Sequence, residues 1–202
     1  MRIAVYGATG MVGSRVVAEG ISRGHEVVGI SRSGGELPDG VRAVQGDAGD
    51  EALAKQMAAD ADVVVSAIGP SRTGGRLEDH LDNLRNLVNT LGQARLVVVG
   101  GAGSLLVNGQ RLIDSADFPE AYRAEAQIGA DALDYLRGLE DGVDWTFLSP
   151  APLIQRGERT GTYRVELDTP AGESISAEDY AVALVDEIER PAHRRARFTV
   201  AN

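Results

Sequence analysis

A five-residue strand-like run, Arg2-Ile3-Ala4-Val5-Tyr6, ends directly in Gly7-x-x-Gly10-x-x-Gly13, and helical spacing begins at Met11. Few sequences constrain a fold as tightly. A strand that reverses into a helix within a handful of residues needs glycine at the sharp turn and at the point where helix and strand touch. It also leaves the first helical N–H groups without intrahelical acceptors, pointing out of the helix start.

The rest of the chain repeats that alternation. Met11 to Arg23 reads as a helix with Met11, Val12, Val16, Val17 and Ile21 on one face. Strands are expected at Glu26 to Ile30, Val41 to Gln45, Asp62 to Ile68, Arg95 to Val99 and Val143 to Leu148. Helices are expected at Asp50 to Ala59, Leu77 to Leu91 and Pro119 to Leu139. Continuous apolar runs such as Val63-Val64-Val65 and Leu96-Val97-Val98-Val99 fit strands covered on both faces. The expected fold is therefore α/β: a Rossmann-type, doubly wound parallel sheet with helices on both faces. One domain should span residues 1–202, with about 150–202 forming a small substrate-facing lobe. In that lobe, strand-like pieces at Tyr163 to Leu167 and Arg197 to Val200 flank a helix from Ala177 to Ile188. Ser176 caps that helix and Asp179 sits in its first turn.

The glycine turn suits a dinucleotide. Gly7 permits the turn, Gly10 lets backbone approach a pyrophosphate, and Gly13 lets the helix pack closely; Thr9 adds a hydroxyl, and the Met11-Val12-Gly13 helix start faces the phosphates. At the end of the second strand an NAD-binding protein usually carries an acid for the ribose 2′-hydroxyl. This chain has Ser31-Arg32-Ser33 there and no acid before Glu36. The arginine fork and the two hydroxyls fit a 2′-phosphate, so NADP is favoured, with NAD still open. Asp47, beside Ala48 after the third strand, is placed either to accept from an adenine amino group or to cap the next helix, for which Asp50 is the better candidate. Ala67 and Gly69, around the end of the fourth strand, are small, as close approach of a nicotinamide ribose requires. Pro150 either walls the nicotinamide or simply ends its strand.

Net charge is −10, which repels phosphate backbones and anionic lipid, so neither nucleic acid nor a membrane is expected as a partner. There is no cysteine, hence no disulfide or thiolate nucleophile. His25, His80 and His193 have no companions at metal-ligand spacing, and no metal is expected. No basic region followed by an apolar stretch precedes Arg2, so a cytoplasmic address is expected.

Tyr6 to Gly13 and Arg23-Gly24-His25-Glu26-Val27 resemble the atypical short-chain dehydrogenase/reductases with an NAD(P)H-binding domain. Gly100-Gly101-Ala102-Gly103-Ser104-Leu105, Trp145 to Pro150, Gly157 to Arg164 and Ile175 to Ala181 are similar to one branch, the NADH-flavin reductases related to biliverdin reductase B. The resemblance covers nearly the whole chain. It implies hydride transfer from NADPH to a flavin (FMN or FAD as substrate), a quinone or a similar conjugated acceptor. Conventional members of the superfamily use Tyr-x-x-x-Lys to protonate a carbonyl oxygen. Here the only lysine is Lys55, and no tyrosine has lysine four residues later. That absence disfavours a nucleotide-sugar epimerase or dehydratase. It leaves a non-catalytic NADP(H)-binding redox sensor as an alternative.

Two residues are candidates at the reacting centre. Ser104 follows the fifth strand and either supports a reacting carbonyl or caps a turn. Tyr122 either lines the site or packs at a helix start. Arg156, Arg159 and Arg164 form either a basic cluster for an acceptor phosphate or a charge-balanced surface hairpin. The apolar faces of the Leu77 and Pro119 helices serve either a homodimer or packing on the sheet, so monomer and homodimer both stay open.

Overall fold

The computed structural model describes residues 1–71 and 74–202. The chain runs β1 (Arg2–Tyr6), α1 (Met11–Ser22), β2 (Glu26–Ser31), β3 (Arg42–Gln45), α2 (Glu51–Ala59), β4 (Val63–Ser66), α3 (Asp79–Thr90) and β5 (Arg95–Val99). A small hairpin, β6 (Leu106–Val107) and β7 (Gln110–Arg111), leads through a short 3-10 turn to α4 (Glu120–Arg137) and β8 (Trp145–Pro150). Then come β9 (Leu153–Gln155), β10 (Arg164–Glu166), β11 (Ser174–Ser176), α5 (Ala177–Glu189) and β12 (Ala196–Ala201).

Among the described residues the main sheet has eight strands in the order β10-β12-β8-β5-β4-β1-β2-β3, and only the β10–β12 pair is antiparallel. The order turns back at β1. β2 and β3 lie to one side of it, β4 and β5 to the other, so the carboxyl ends of β1 and β4 open a crevice between diverging loops.

Successive strand residues serve opposite layers, because side chains alternate across a sheet. Ile3, Val5, Val65 and Val97 pack with Val16 and Val17 of α1 and Tyr180 and Leu184 of α5. Ala4, Tyr6, Val64, Leu96 and Val98 pack with Met57 of α2, Leu84 and Leu87 of α3, and Leu133 and Leu136 of α4. The apolar faces of α3 and α4 are thus spent on the sheet. Met11, expected on the inward face of α1, is 38 % exposed, because the first residue of the helix projects beyond the sheet edge.

After Pro150 part of the chain joins the main sheet. Arg197 to Val200, read above as a lobe strand, belongs to β12, which pairs parallel to β8; β10 then pairs with β12. Phe198 and Val200 need the apolar layer that α5 builds with α1, and this draws the strand into the main sheet. Of the strands after Pro150, the β9–β11 pair stands apart from the main sheet. Ser176 does cap α5, its Oγ accepting from Asp179 N at 3.0 Å. The Asp179 carboxylate does more than face the helix dipole. It accepts from Thr160 N (2.8 Å), Gly161 N (2.7 Å) and Thr160 Oγ1 (2.7 Å), fixing the loop before β10.

At the amino ends of β5 and β8 lies a buried polar knot. Arg95, 6 % exposed, donates to the Glu187 backbone carbonyl at 2.8 Å, to Thr146 Oγ1 at 2.5 Å and to the Glu187 carboxylate. Glu187 also accepts from His193 N at 3.0 Å and meets His193 Nδ1 at 2.8 Å.

Candidate functional site

Gly7 occupies φ +78°, the left-handed region that side chains other than glycine rarely enter, and a Cβ there would lie 2.5 Å from Ala67 O. Gly7 N donates to Ile30 O at 3.0 Å, and Gly10 N donates to Gly7 O at 2.9 Å. Gly10 is the N-cap of α1 and offers no side chain to it. At Gly13 a Cβ would lie 2.1 Å from Gly7 O and 3.3 Å from the Ala67 side chain. The turn therefore folds so tightly that α1 starts against the backbone of β1 and the end of β4. The Met11, Val12 and Gly13 amides lie in the first turn, where a helix has no acceptors of its own.

Above this turn is a cleft of about 280 Å³. Every strand around the crevice contributes to its wall: Gly7, Thr9 and Gly10 after β1, Ser31, Arg32 and Ser33 at the end of β2, Asp47 and Ala48 after β3, and Ala67 and Gly69 after β4. Ten of the expected cofactor-binding residues thus meet in one place, although they come from four separate stretches of chain.

The Arg32 side chain is 78 % exposed, its Nε 3.8 Å from Asp47 Oδ2. Its backbone carbonyl is anchored by Gln45 Nε2 at 3.0 Å, which leaves the guanidinium loosely held. Ser31 Oγ donates to Gly34 O at 3.0 Å, and Ser33 Oγ to the same oxygen at 3.4 Å. Asp47 closes a local turn, its Oδ1 accepting from Gly49 N at 2.8 Å, while Asp50 caps α2 through Leu53 N at 3.1 Å. Of the two readings of Asp47, the cap role thus falls to Asp50.

The far wall of the cleft was not read from the sequence. Arg76, Asp79, His80 and Asn83, in and just before α3, line it, with Tyr6 and Ile68. His80 is 8 % exposed, and burial lowers its pKa to about 4, so the imidazole is neutral at ordinary pH. Tyr6 is 1 % exposed; burial first, and then the charge of Asp50, push its hydroxyl up to about 12. Among the described residues that hydroxyl has no hydrogen-bond partner, a buried polar atom at the cleft wall. The one legible signal is a lone histidine on an amphipathic helix following β4, on the same buried face as Leu84, Leu87 and Val88.

Met11, Val12, Gly13 and Pro150 lie outside the cleft lining, the first three as the helix start beneath it. Pro150 is buried at the end of β8, its carbonyl accepting from Thr199 Oγ1 at 3.3 Å. Ser104 also lies outside the lining, held beside β12: Arg197, whose side chain is 1 % exposed, reaches Ser104 Oγ at 3.4 Å while gripping the Asp168 carboxylate. Tyr122 is 57 % exposed in the first turn of α4, so it is neither packed nor in the cleft wall. The three late arginines do not form a cluster. Arg159 pairs with Glu19 on α1 at 2.7 and 2.8 Å, and Arg164 donates to the Asn202 carbonyl, so these two point to different acceptors.

A parallel sheet, a glycine turn into α1 and a cleft at the strand-order reversal define a dinucleotide-binding α/β protein. The residues present fit such a ligand: Gly7, Thr9 and Gly10 line the cleft beside the first-turn amides of α1, and the buried Tyr6 hydroxyl has no hydrogen-bond partner among the described residues.

Comparison with known proteins agrees. The profile of the NAD(P)H-binding family matches residues 7–191, and the chain belongs to that family. It is 37 % identical to the uncharacterised protein YwnB of Bacillus subtilis (strain 168), over 100 % of this chain and 99 % of that one. Among solved structures, a Streptococcus pneumoniae protein provisionally named an NADH-flavin reductase superimposes with TM-score 0.91 at 36 % identity, covering 100 % and 99 % of the two chains. A Burkholderia pseudomallei protein provisionally named as exported gives 0.88 at 41 %, covering both chains fully. A Bacteroides thetaiotaomicron protein provisionally named an epimerase gives 0.87 at 32 %, covering 99 % and 96 %. These likenesses are consistent with the atypical short-chain dehydrogenase/reductase group.

Proposed function

We propose that the protein is an NADPH-dependent reductase that passes hydride to a flavin, quinone or similar conjugated acceptor. The observation that carries the reading is the cleft wall at the end of β2: Ser31, Arg32 and Ser33 line it, no acid stands beside them before Glu36, and the guanidinium is exposed. The bound nicotinamide supplies the hydride. The chain's own part is to hold the dinucleotide. The first-turn amides of α1 and Thr9 face the pyrophosphate, Arg32 with its flanking serines faces the 2′-phosphate, and Ala67 and Gly69 leave room for the nicotinamide ribose.

A conjugated acceptor is favoured because the protein has no relay for a simple carbonyl. Its lysine, Lys55, lies on the exposed side of α2 and pairs with Glu51 at 2.6 Å, remote in sequence and role from the cleft wall. An extended ring system spreads the charge it receives and can take its proton from water, so positioning is the main demand on the protein. A cytoplasmic location goes with this reading, because a charged dinucleotide does not diffuse across membranes. Among the described residues no helix is long and apolar enough to cross one.

The test is steady-state oxidation of NADPH with FMN, FAD, riboflavin and quinones. Turnover that needs the acceptor supports the reading, and none above the acceptor-free rate defeats it. A second reading, a sensor that binds NADP(H) without turnover, draws on the positions of Ser104 and Tyr122 outside the cleft lining. Tight binding of both NADPH and NADP, with no turnover on any acceptor, would favour it.

A further inference from the structure

The main sheet ends in a strand left open. β10 is outermost, paired on one side only, with β12. All three of its residues are exposed, Val165 by 44 %, and Leu167 just beyond is 55 % exposed. The open stretch stops at Leu167, because the next carbonyl, that of Asp168, accepts from Leu106 N at 2.8 Å. That contact brings in the β6–β7 hairpin, where Val107 is 42 % exposed. An open edge presents unpaired backbone N–H and C=O groups, and proteins blunt it with short strands, charged side chains, proline or a bulge; this edge is three residues long and carries two charges of opposite sign, which oppose pairing only where like charges would meet. None of the residues 163–167 is lysine or proline.

The edge reads Tyr163-Arg164-Val165-Glu166-Leu167. About Val165 this stretch is symmetric in polarity and opposite in charge. A two-fold axis through Val165 brings a second copy antiparallel, with Val165 on Val165, Tyr163 on Leu167, and each Arg164 on the other copy's Glu166. Opposite charges directly across a ladder favour pairing, and like charges oppose it. A slip of one residue would set the charges against apolar side chains. A slip of two would set Glu166 on Glu166 or Arg164 on Arg164. One register is therefore selected.

We infer that β10 is a self-pairing edge through which two copies of this chain join their sheets into one. The contact is isologous, so it closes at two copies. The strand is three residues long, so the contact is small beside the roughly 800 Å² per partner typical of stable interfaces. Association therefore depends on concentration.

Sedimentation equilibrium over a range of concentrations tests this. The wild-type mass should rise from 21.3 kDa towards twice that value. Val165→Lys and Glu166→Arg should stay monomeric with unchanged melting temperature, since both side chains are exposed. The charge swap Arg164→Glu with Glu166→Arg gives up the Arg164–Asn202 contact, so its monomer is first shown to keep a wild-type circular dichroism spectrum; it should then regain the dimer, which a merely structural role of either residue would not produce. A wild type that stays monomeric throughout, a dimer that survives Val165→Lys, or a swap that fails to restore the dimer lost in Glu166→Arg would overturn the inference.

Discussion

Gly13 sits against the carbonyl of Gly7, so close that a Cβ on Gly13 would stand 2.1 Å from the oxygen. No rotamer relieves this, because the obstacle is backbone. Gly13→Ala should push α1 off the end of β1 and cost about 1–3 kcal/mol, which for a chain of this length lowers the melting temperature by roughly 2–4 °C per kcal/mol. Calorimetric titration should show NADPH affinity falling at least about tenfold, a factor that corresponds to about 1.4 kcal/mol.

Gly129 is the opposite case. It lies inside α4, and a Cβ there would meet nothing within 4 Å. Glycine in a helix interior is about 0.5–1 kcal/mol worse than alanine. Gly129→Ala should therefore raise the melting temperature by a few degrees and leave dinucleotide affinity unchanged. A lowered melting point would mean that α4 is held by something other than its own propensity.

Arg32 is exposed and only loosely paired, so its removal should leave stability intact. Its loss should tell only on the phosphate that separates the two coenzymes. In Arg32→Ala, NADPH binding should weaken by roughly 1–3 kcal/mol, the range for a charged hydrogen bond, with NADH binding unaltered. Parallel titrations of both coenzymes check this, and equal weakening of the two would refute the 2′-phosphate assignment.

His80 gives the fold a pH dependence of known sign. An ordinary imidazole titrates at 6.5, and burial holds this one at about 4. Falling pH protonates the unfolded chain first. The stability from keeping His80 neutral is thus complete above 6.5 and is lost as pH falls towards 4. Between pH 7 and pH 5 the loss should be about 2 kcal/mol, at 1.36 kcal/mol per pH unit below 6.5. Urea unfolding at the two pH values should show it in the wild type and much less of it in His80→Gln.

Local pattern revealed what local physics decides. The apolar runs of β4 and β5, the glycine turn, and the Leu84, Leu87, Val88 and Leu91 stripe of α3 are each fixed within a few residues. So were the caps Asp50 and Ser176. What stayed hidden depends on partners far away. Arg159 looked like a neighbour of Arg156 and Arg164, yet its acceptor Glu19 is 140 residues distant. Ser104 looked like a site residue because it follows a strand, but Arg197, 93 residues on, decides where it goes. The α3 wall of the cleft was invisible for the same reason: periodicity shows that His80 shares a face with Leu84 and Leu87, and only topology shows that the start of that helix meets the crevice.

The polar knot of Arg95, Glu187 and His193 lies at the opposite pole of the strands from the cleft. Rigidity is anchored at one end of the molecule and ligand recognition is built at the other. Sequence drift around the anchor can retune thermal tolerance while leaving coenzyme choice alone, and the loops of the crevice are free to acquire new acceptors without loosening the scaffold.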